Sequence, residues 1–274
     1  MTFRRLVGIA LLLVAAAAQA QSEPQNAQPP AADPATAEAE PAATVTAQPE
    51  AEPVQVVELT PAFGPAEPGD AQRGAAKAAV CGACHGMDGN SADPQNPKLA
   101  GQHEGYLARH LALYKSGGRE NSIMAGFAAP LSPQDMRDIG AFYADKQVVP
   151  GMADDSPVTE GDFVGRRFYE IGQQLYRAGD PGRALPACSA CHGPAGTGNP
   201  AVPYPQLQGQ HAQYTAQQLR AFRDGAVYGK DGNADRVMAA VAAGLTDTEI
   251  EALATYIEGL HTGETGAIPA SAAR

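Results

Sequence analysis

Cysteine is scarce in this chain: four residues in 274, confined to two close pairs, Cys81 with Cys84 and Cys188 with Cys191. None follows the N-terminal apolar run, which excludes a bacterial lipoprotein anchor. Long apolar runs are scarce too. Leu6 to Ala18 is the only one, and it is too short to span a bilayer comfortably. Arg4 and Arg5 precede it and Ala18-Gln19-Ala20 follows, so residues 1–20 read as a secretory signal peptide, with an uncleaved anchor as the alternative. Lys and Arg are missing altogether from Gln21 to Pro68. That stretch is rich in Ala, Pro and Glu and poor in large apolar residues, so it cannot offset the entropy of ordering. It reads as an acidic linker, residues 21–68. Its eight acidic residues supply most of the formal net charge of −11. From Ala71 to Pro150 eight Lys and Arg face seven Asp and Glu; from Gly151 onward nine face fourteen. A chain with no basic excess is not a nucleic-acid binder.

What is there is a pentapeptide written twice: Cys81-Gly82-Ala83-Cys84-His85 and Cys188-Ser189-Ala190-Cys191-His192. Cys-x-x-Cys-His reads as covalent attachment of haem c, the two thiols bonding the porphyrin and the histidine ligating iron. A zinc site built from all four cysteines would leave His85 and His192 unexplained. A redox dithiol would sit in a strand–helix–strand pattern, which is absent.

The surrounding sequence is also duplicated. Pro97-Lys98-Leu99-Ala100-Gly101-Gln102-His103 and Tyr106 return as Pro205-Gln206-Leu207-Gln208-Gly209-Gln210-His211 and Tyr214. Leu111, Tyr114, Met124, Leu131, Met136, Ile139 and Phe142 match Leu219, Phe222, Met238, Leu245, Ile250, Leu253 and Tyr256. Ordered similarity at a nearly constant offset means tandem domains, placed at 69–150 and 151–274. The second has a longer stretch between Gly225 and Met238. Both read as all-α: helices over Ala71–Val80 and Glu104–Tyr114, one started by Ser132-Pro133, and its mate by Thr246 and Glu249 in capping-box spacing.

His85 and His192 are the expected proximal iron ligands. For the distal position the repeat selects among the methionines. Met87 is too near His85, Met136 matches Ile250 and is core, and Met152 lies in the connection. Met124 and Met238 match each other and are assigned as distal ligands; ordinary core methionines, or ligation by the matched His103 and His211, are the alternatives. His103 and His211 are otherwise expected at a haem edge or domain interface, and the unmatched His110 and His261 on the surface. Pro97 and Pro205 are placed to offer a carbonyl to each proximal imidazole.

With these residues quoted, the chain resembles the cytochrome c4 family over Asp70 to Leu260. The likeness includes Asp88-Gly89-Asn90-Ser91, Gly117, Arg119, Tyr176-Arg177, Gly179-Asp180 and Pro186-Ala187-Cys188. The resemblance implies two class I cytochrome c domains and His/Met ligation at both irons. It also implies a pseudo-twofold domain pair, with electrons received from a quinol-oxidising complex and passed to a terminal oxidase. The chain departs from the family in its long linker and in Val227, which stands where the first copy has Arg119. The expected function is a periplasmic electron carrier, any membrane association running through partners. A dihaem peroxidase or the cytochrome subunit of a membrane-bound oxidoreductase complex is the alternative. A peroxidase needs a releasable distal ligand, which the paired methionines argue against.

Domains this small and this rich in Gly and Ala have thin cores, so much of the apolar contact falls to the porphyrin. Haem-free chain is expected to lack a cooperative thermal transition; circular dichroism of the apoprotein against the holoprotein checks this.

Overall fold

The computed structural model describes residues 66–202, 204–229 and 233–263. The signal-peptide reading, and the linker reading up to Pro65, lie outside them. Among the described residues no helix is long and apolar enough to cross a membrane, and extended backbone pairs only in isolated bridges such as Pro157 with Arg167.

The first half runs α1 (Ala71–Ala78), α2 (Gly82–His85), α3 (Glu104–Ser116), α4 (Ser122–Ala128) and α5 (Pro133–Ala144). The second runs α6 (Phe168–Ala178), α7 (Ser189–His192), α8 (Ala212–Arg223), α9 (Asn233–Ala242) and α10 (Asp247–Gly259). The packing repeats as the sequence does. Helix α5 packs on α1 and α3, and its mate α10 packs on α6 and α8. Short helices α4 and α9 pack on α3 and α8. Two all-α domains result, as expected from the duplicated pattern.

Local chemistry explains where the helices begin. Ser132 caps the Asp135 N–H, the Asp135 carboxylate accepts the Ser132 N–H, and Pro133 takes the first turn where no donor is needed. Thr246 and Glu249 repeat the box on α10. Asp70 caps α1 through the Arg73 N–H. The loops between helices also match. Leu99 and Ala100 donate to Gly89 O, while Leu207 and Gln208 donate to Gly196 O. Gly101 then donates to Tyr143 O and Gly209 to Ile257 O, tying each loop to its C-terminal helix.

The cores differ in size. The second domain has one continuous cluster around Ile171, Leu175, Tyr176, Ile250, Leu253 and Ile257. The first has two smaller ones, around Ile139 with Tyr143 and around Ala112 with Met136. In both, a cysteine of the pentapeptide lies half-buried against the cluster: Cys81 in the first, Cys188 in the second.

Asp138 fastens α1 to α5. Arg73 donates to both its oxygens, at 2.8 and 2.9 Å, and the Asp70 N–H and Gln134 Nε2 add bonds of 2.8 and 2.9 Å. These bonds, the Arg73 guanidinium foremost, bring its carboxyl down from 3.8 to about 2. A carboxyl whose folded pKa is depressed stabilises the fold above its unfolded value and loses that contribution as pH falls through the folded one. Stability is therefore expected to fall between about pH 4 and pH 2, and Asp138→Asn to flatten that limb; urea denaturation across the range checks it.

Candidate haem sites

Helices α2 and α7 are single turns, and that is their use. A cysteine, a second cysteine three residues on and a histidine four on share one helix face. The turn is closed by the His85 N–H on Cys81 O at 3.0 Å and the His192 N–H on Cys188 O at 2.9 Å. Gly86 and Gly193 end the turns at φ 79° and 77°, a left-handed conformation that a side chain would strain.

Both histidines are buried. His85 Nδ1 lies 2.8 Å from Pro97 O, and His192 Nδ1 lies 3.0 Å from Pro205 O. A carbonyl only accepts, so each Nδ1 carries the proton and each Nε2 keeps a free lone pair. Burial lowers the pKa of both rings, against the opposing effect of the carbonyl, and keeps them neutral. The two prolines thus take the role expected of them.

The donor set fits covalent haem and argues against the alternatives. Burial pushes the Cys188 thiol up to about 11 and raises Cys81 as well, the reverse of the depressed thiol that a redox dithiol requires. All four cysteines are free thiols, and no group of three or more His, Cys, Asp or Glu among the described residues is arranged to hold a metal ion. Each motif therefore offers two unbridged thiols beside one neutral, oriented imidazole, at the edge of an apolar cluster.

Met124 and Met238 occupy matching helices, α4 and α9, and are half-buried in both. These helices were not read from the sequence; Asn121 starts α4 by accepting the Met124 N–H at 2.9 Å. Met136 is core at 3 % exposure, and Met87 and Met152 are exposed.

The remaining histidines divide. His211 lies at the domain interface, its Nε2 2.9 Å from Ser91 O of the first domain, and His261 is exposed. His110 corrects the sequence reading: expected on the surface, it is buried, with Nδ1 accepting from Arg119 Nη1 at 3.0 Å. Burial, then the charges of Arg119 and Arg109, hold its pKa well below the ordinary value. His110 has no matched histidine because its mate is Gln218, another interface polar group. Arg119 bonds both mates, reaching Gln218 Oε1 at 2.8 Å and Tyr214 Oη at 3.1 Å, and stacks on Tyr114 and Tyr228. A group that touches two repeat mates sits near the pseudo-twofold axis. There one guanidinium serves both halves, and Val227 replaces the second. Arg236 is exposed and does not substitute for it. Beside this cluster the half-buried Arg109 and the buried Asp235 form an ion pair at 2.7 Å across the domains.

The interface also carries two reciprocal clamps. Gln210 Oε1 accepts the Lys98 N–H at 2.8 Å, and Gln210 Nε2 donates to Lys98 O at 2.9 Å. Gln102 Oε1 accepts the Gln206 N–H and Gln102 Nε2 donates to Gln206 O, both at 3.0 Å. Lys98 matches Gln206 and Gln102 matches Gln210, so the two clamps are one contact made twice, as a two-fold interface requires.

Duplicated thiol pairs with oriented imidazoles on an all-α fold define a c-type cytochrome with two haem sites. The sequence model of the family described as cytochrome c matches residues 71–144 and 169–261. Cytochrome c4 of Pseudomonas aeruginosa is 44% identical, the match covering 70% of this chain and 90% of the relative. The crystal structure of reduced recombinant cytochrome c4 from Pseudomonas stutzeri superposes with a TM-score of 0.63 at 43% identity, over 70% of this chain and all of that one. The thiosulfate dehydrogenase electron acceptor of Stutzerimonas stutzeri is 37% identical over 71% of this chain and 86% of its own length. The chain belongs to the cytochrome c4 family. It is a dihaem electron-transfer cytochrome whose cofactors are two covalently attached haem c groups.

Arg119→Leu leaves Gln218, Tyr214 and the buried His110 without their shared donor. A loss of about 2–4 kcal/mol in unfolding free energy is expected, read from denaturant melts of the holoprotein.

Proposed function

We propose that Cys81 and Cys84 hold one haem and Cys188 and Cys191 the other, with His85 and Met124 ligating the first iron and His192 and Met238 the second. The observation that carries this reading is the matched pair of Nδ1–carbonyl bonds, which leaves Nε2 of each buried imidazole free as a donor. The methionines follow from their equivalent half-buried positions on α4 and α9. Bound haem supplies an iron that cycles between ferric and ferrous. The protein fixes its imidazoles, and a thioether ligand favours the ferrous state. With both axial positions filled the irons have no open coordination site, so the chain transfers electrons rather than transforming a substrate.

In this reading the carrier works in the periplasm, exported by residues 1–20, with residues 21–68 as linker and domains at 69–150 and 151–274. It takes electrons from a quinol-oxidising complex and delivers them to a terminal oxidase. A second donor is favoured by the likeness to the thiosulfate dehydrogenase electron acceptor: a periplasmic dehydrogenase of a small inorganic substrate.

Potentiometric titration with visible absorbance tests the ligand set. Two low-spin haems at positive potential are expected. Met124→Ala and Met238→Ala are each expected to turn one haem high-spin and to remove half of the methionine–iron charge-transfer band. Variants that leave both haems low-spin, with that band intact, would refute the assignment.

A further inference from the structure

The peptide units that accept the proximal imidazoles also face the opposite domain. The Pro97–Lys98 peptide receives His85 Nδ1–H on its oxygen, and its own N–H donates to Gln210 Oε1; both bonds measure 2.8 Å. The Pro205–Gln206 peptide receives His192 and donates to Gln102 Oε1, both at 3.0 Å. Each amide orientation is forced, because backbone N–H groups meet one end and a carbonyl meets the other. One partner of each clamp, Lys98 or Gln102, is buried and the other, Gln210 or Gln206, is half-buried, which limits the access of water to these bonds.

An amide whose N–H is engaged accepts more strongly at its oxygen, since both bonds draw on the same C–N resonance. A stronger acceptor draws the imidazole proton towards itself and makes the opposite ring nitrogen a better donor, which favours ferric iron. We propose that Gln210 and Gln102 are positioning residues that tune the reduction potential of the haem in the domain opposite their own. Gln210 acts on the haem held by His85, through Lys98 and Pro97; Gln102 acts on the haem held by His192, through Gln206 and Pro205. The proposal rests on His85 and His192 being the iron ligands. It makes domain docking part of the redox set-point, because a domain pair that opens releases both peptides.

The test is crossed. Gln210→Met and Gln102→Met are made in the full holoprotein, with Gln210→Glu as a variant that keeps the acceptor oxygen. Each haem is titrated separately, its signals assigned by NMR, and the Nδ1–H shifts of His85 and His192 are read in the reduced protein. Gln210→Met is expected to raise the potential of the His85 haem and move the His85 proton upfield, leaving the other haem in place. Gln102→Met is expected to do the same to the His192 haem alone. Gln210→Glu keeps the acceptor for the Lys98 N–H but loses the donor to Lys98 O and adds a charge, so its readout is the His85 Nδ1–H shift, expected to move downfield, with the potential of that haem lowered. Movement of the haem in the mutated domain, equal movement of both, or no movement overturns the proposal. Failure of the ligand reading would instead show in the unmutated protein, as a haem lacking the low-spin spectrum.

Discussion

The hydrogen bond from the buried imidazole of each Cys-x-x-Cys-His motif to a proline carbonyl is the contact on which the rest of each domain depends. It needs a histidine held at the end of one helical turn, with a loop that leaves that turn and returns twelve or thirteen residues later with its carbonyl aimed inward. The loop is held by backbone bonds to Gly89 and Gly196 and is tied to the last helix through Gly101 and Gly209. That helix is in turn placed by its capping box and by its packing on the first helix of its domain. Loss of the carbonyl would free the ring to rotate and would remove the fixed tautomer that keeps Nε2 available.

The same loop builds the interface. The residue after each proline points its N–H and C=O at the other domain, where a glutamine side chain answers both as a neighbouring strand would. Hydrogen-bonded and charged groups populate this surface: the two clamps, the Arg109–Asp235 pair, and the Arg119 cluster. Each domain keeps its own apolar core. The pairing is thus directional, fixing register more than supplying hydrophobic energy.

Much of the fold was legible in the sequence because duplication writes each position twice. The proline pair and the helix starts at Ser132 and Thr246 recur and stand where the pattern puts them, and Met124 and Met238 recur on matching helices. Recurrence carries no information where the two copies differ. His110 and Gln218 are unlike in sequence, yet both bond one arginine, so no recurrence marks His110 as an interface residue. The helices around the methionines were missed because α4 is short and α9 follows the stretch in which the copies differ in length. Gln102 and Gln210 were visible as a repeated Gly-Gln-His string, but their partners lie 104 and 112 residues away along the chain. No local pattern encodes that contact.

The asymmetry at Arg119 follows from the symmetry around it. Two identical halves facing each other place every residue near the axis close to its own mate. A cation there would meet a second cation, and burial would magnify the repulsion. A duplicated chain can avoid this only by letting the copies diverge at that position. Val227 removes the second charge, and Arg119 spans both halves, donating to His110 on one side and to Gln218 and Tyr214 on the other. The tyrosine faces of Tyr114 and Tyr228 take the rest of the guanidinium surface. Identical subunits must carry the same residue at both positions, whereas a tandem chain carries Arg119 in one half and Val227 in the other, so the departure from the repeat fits the needs of the axis.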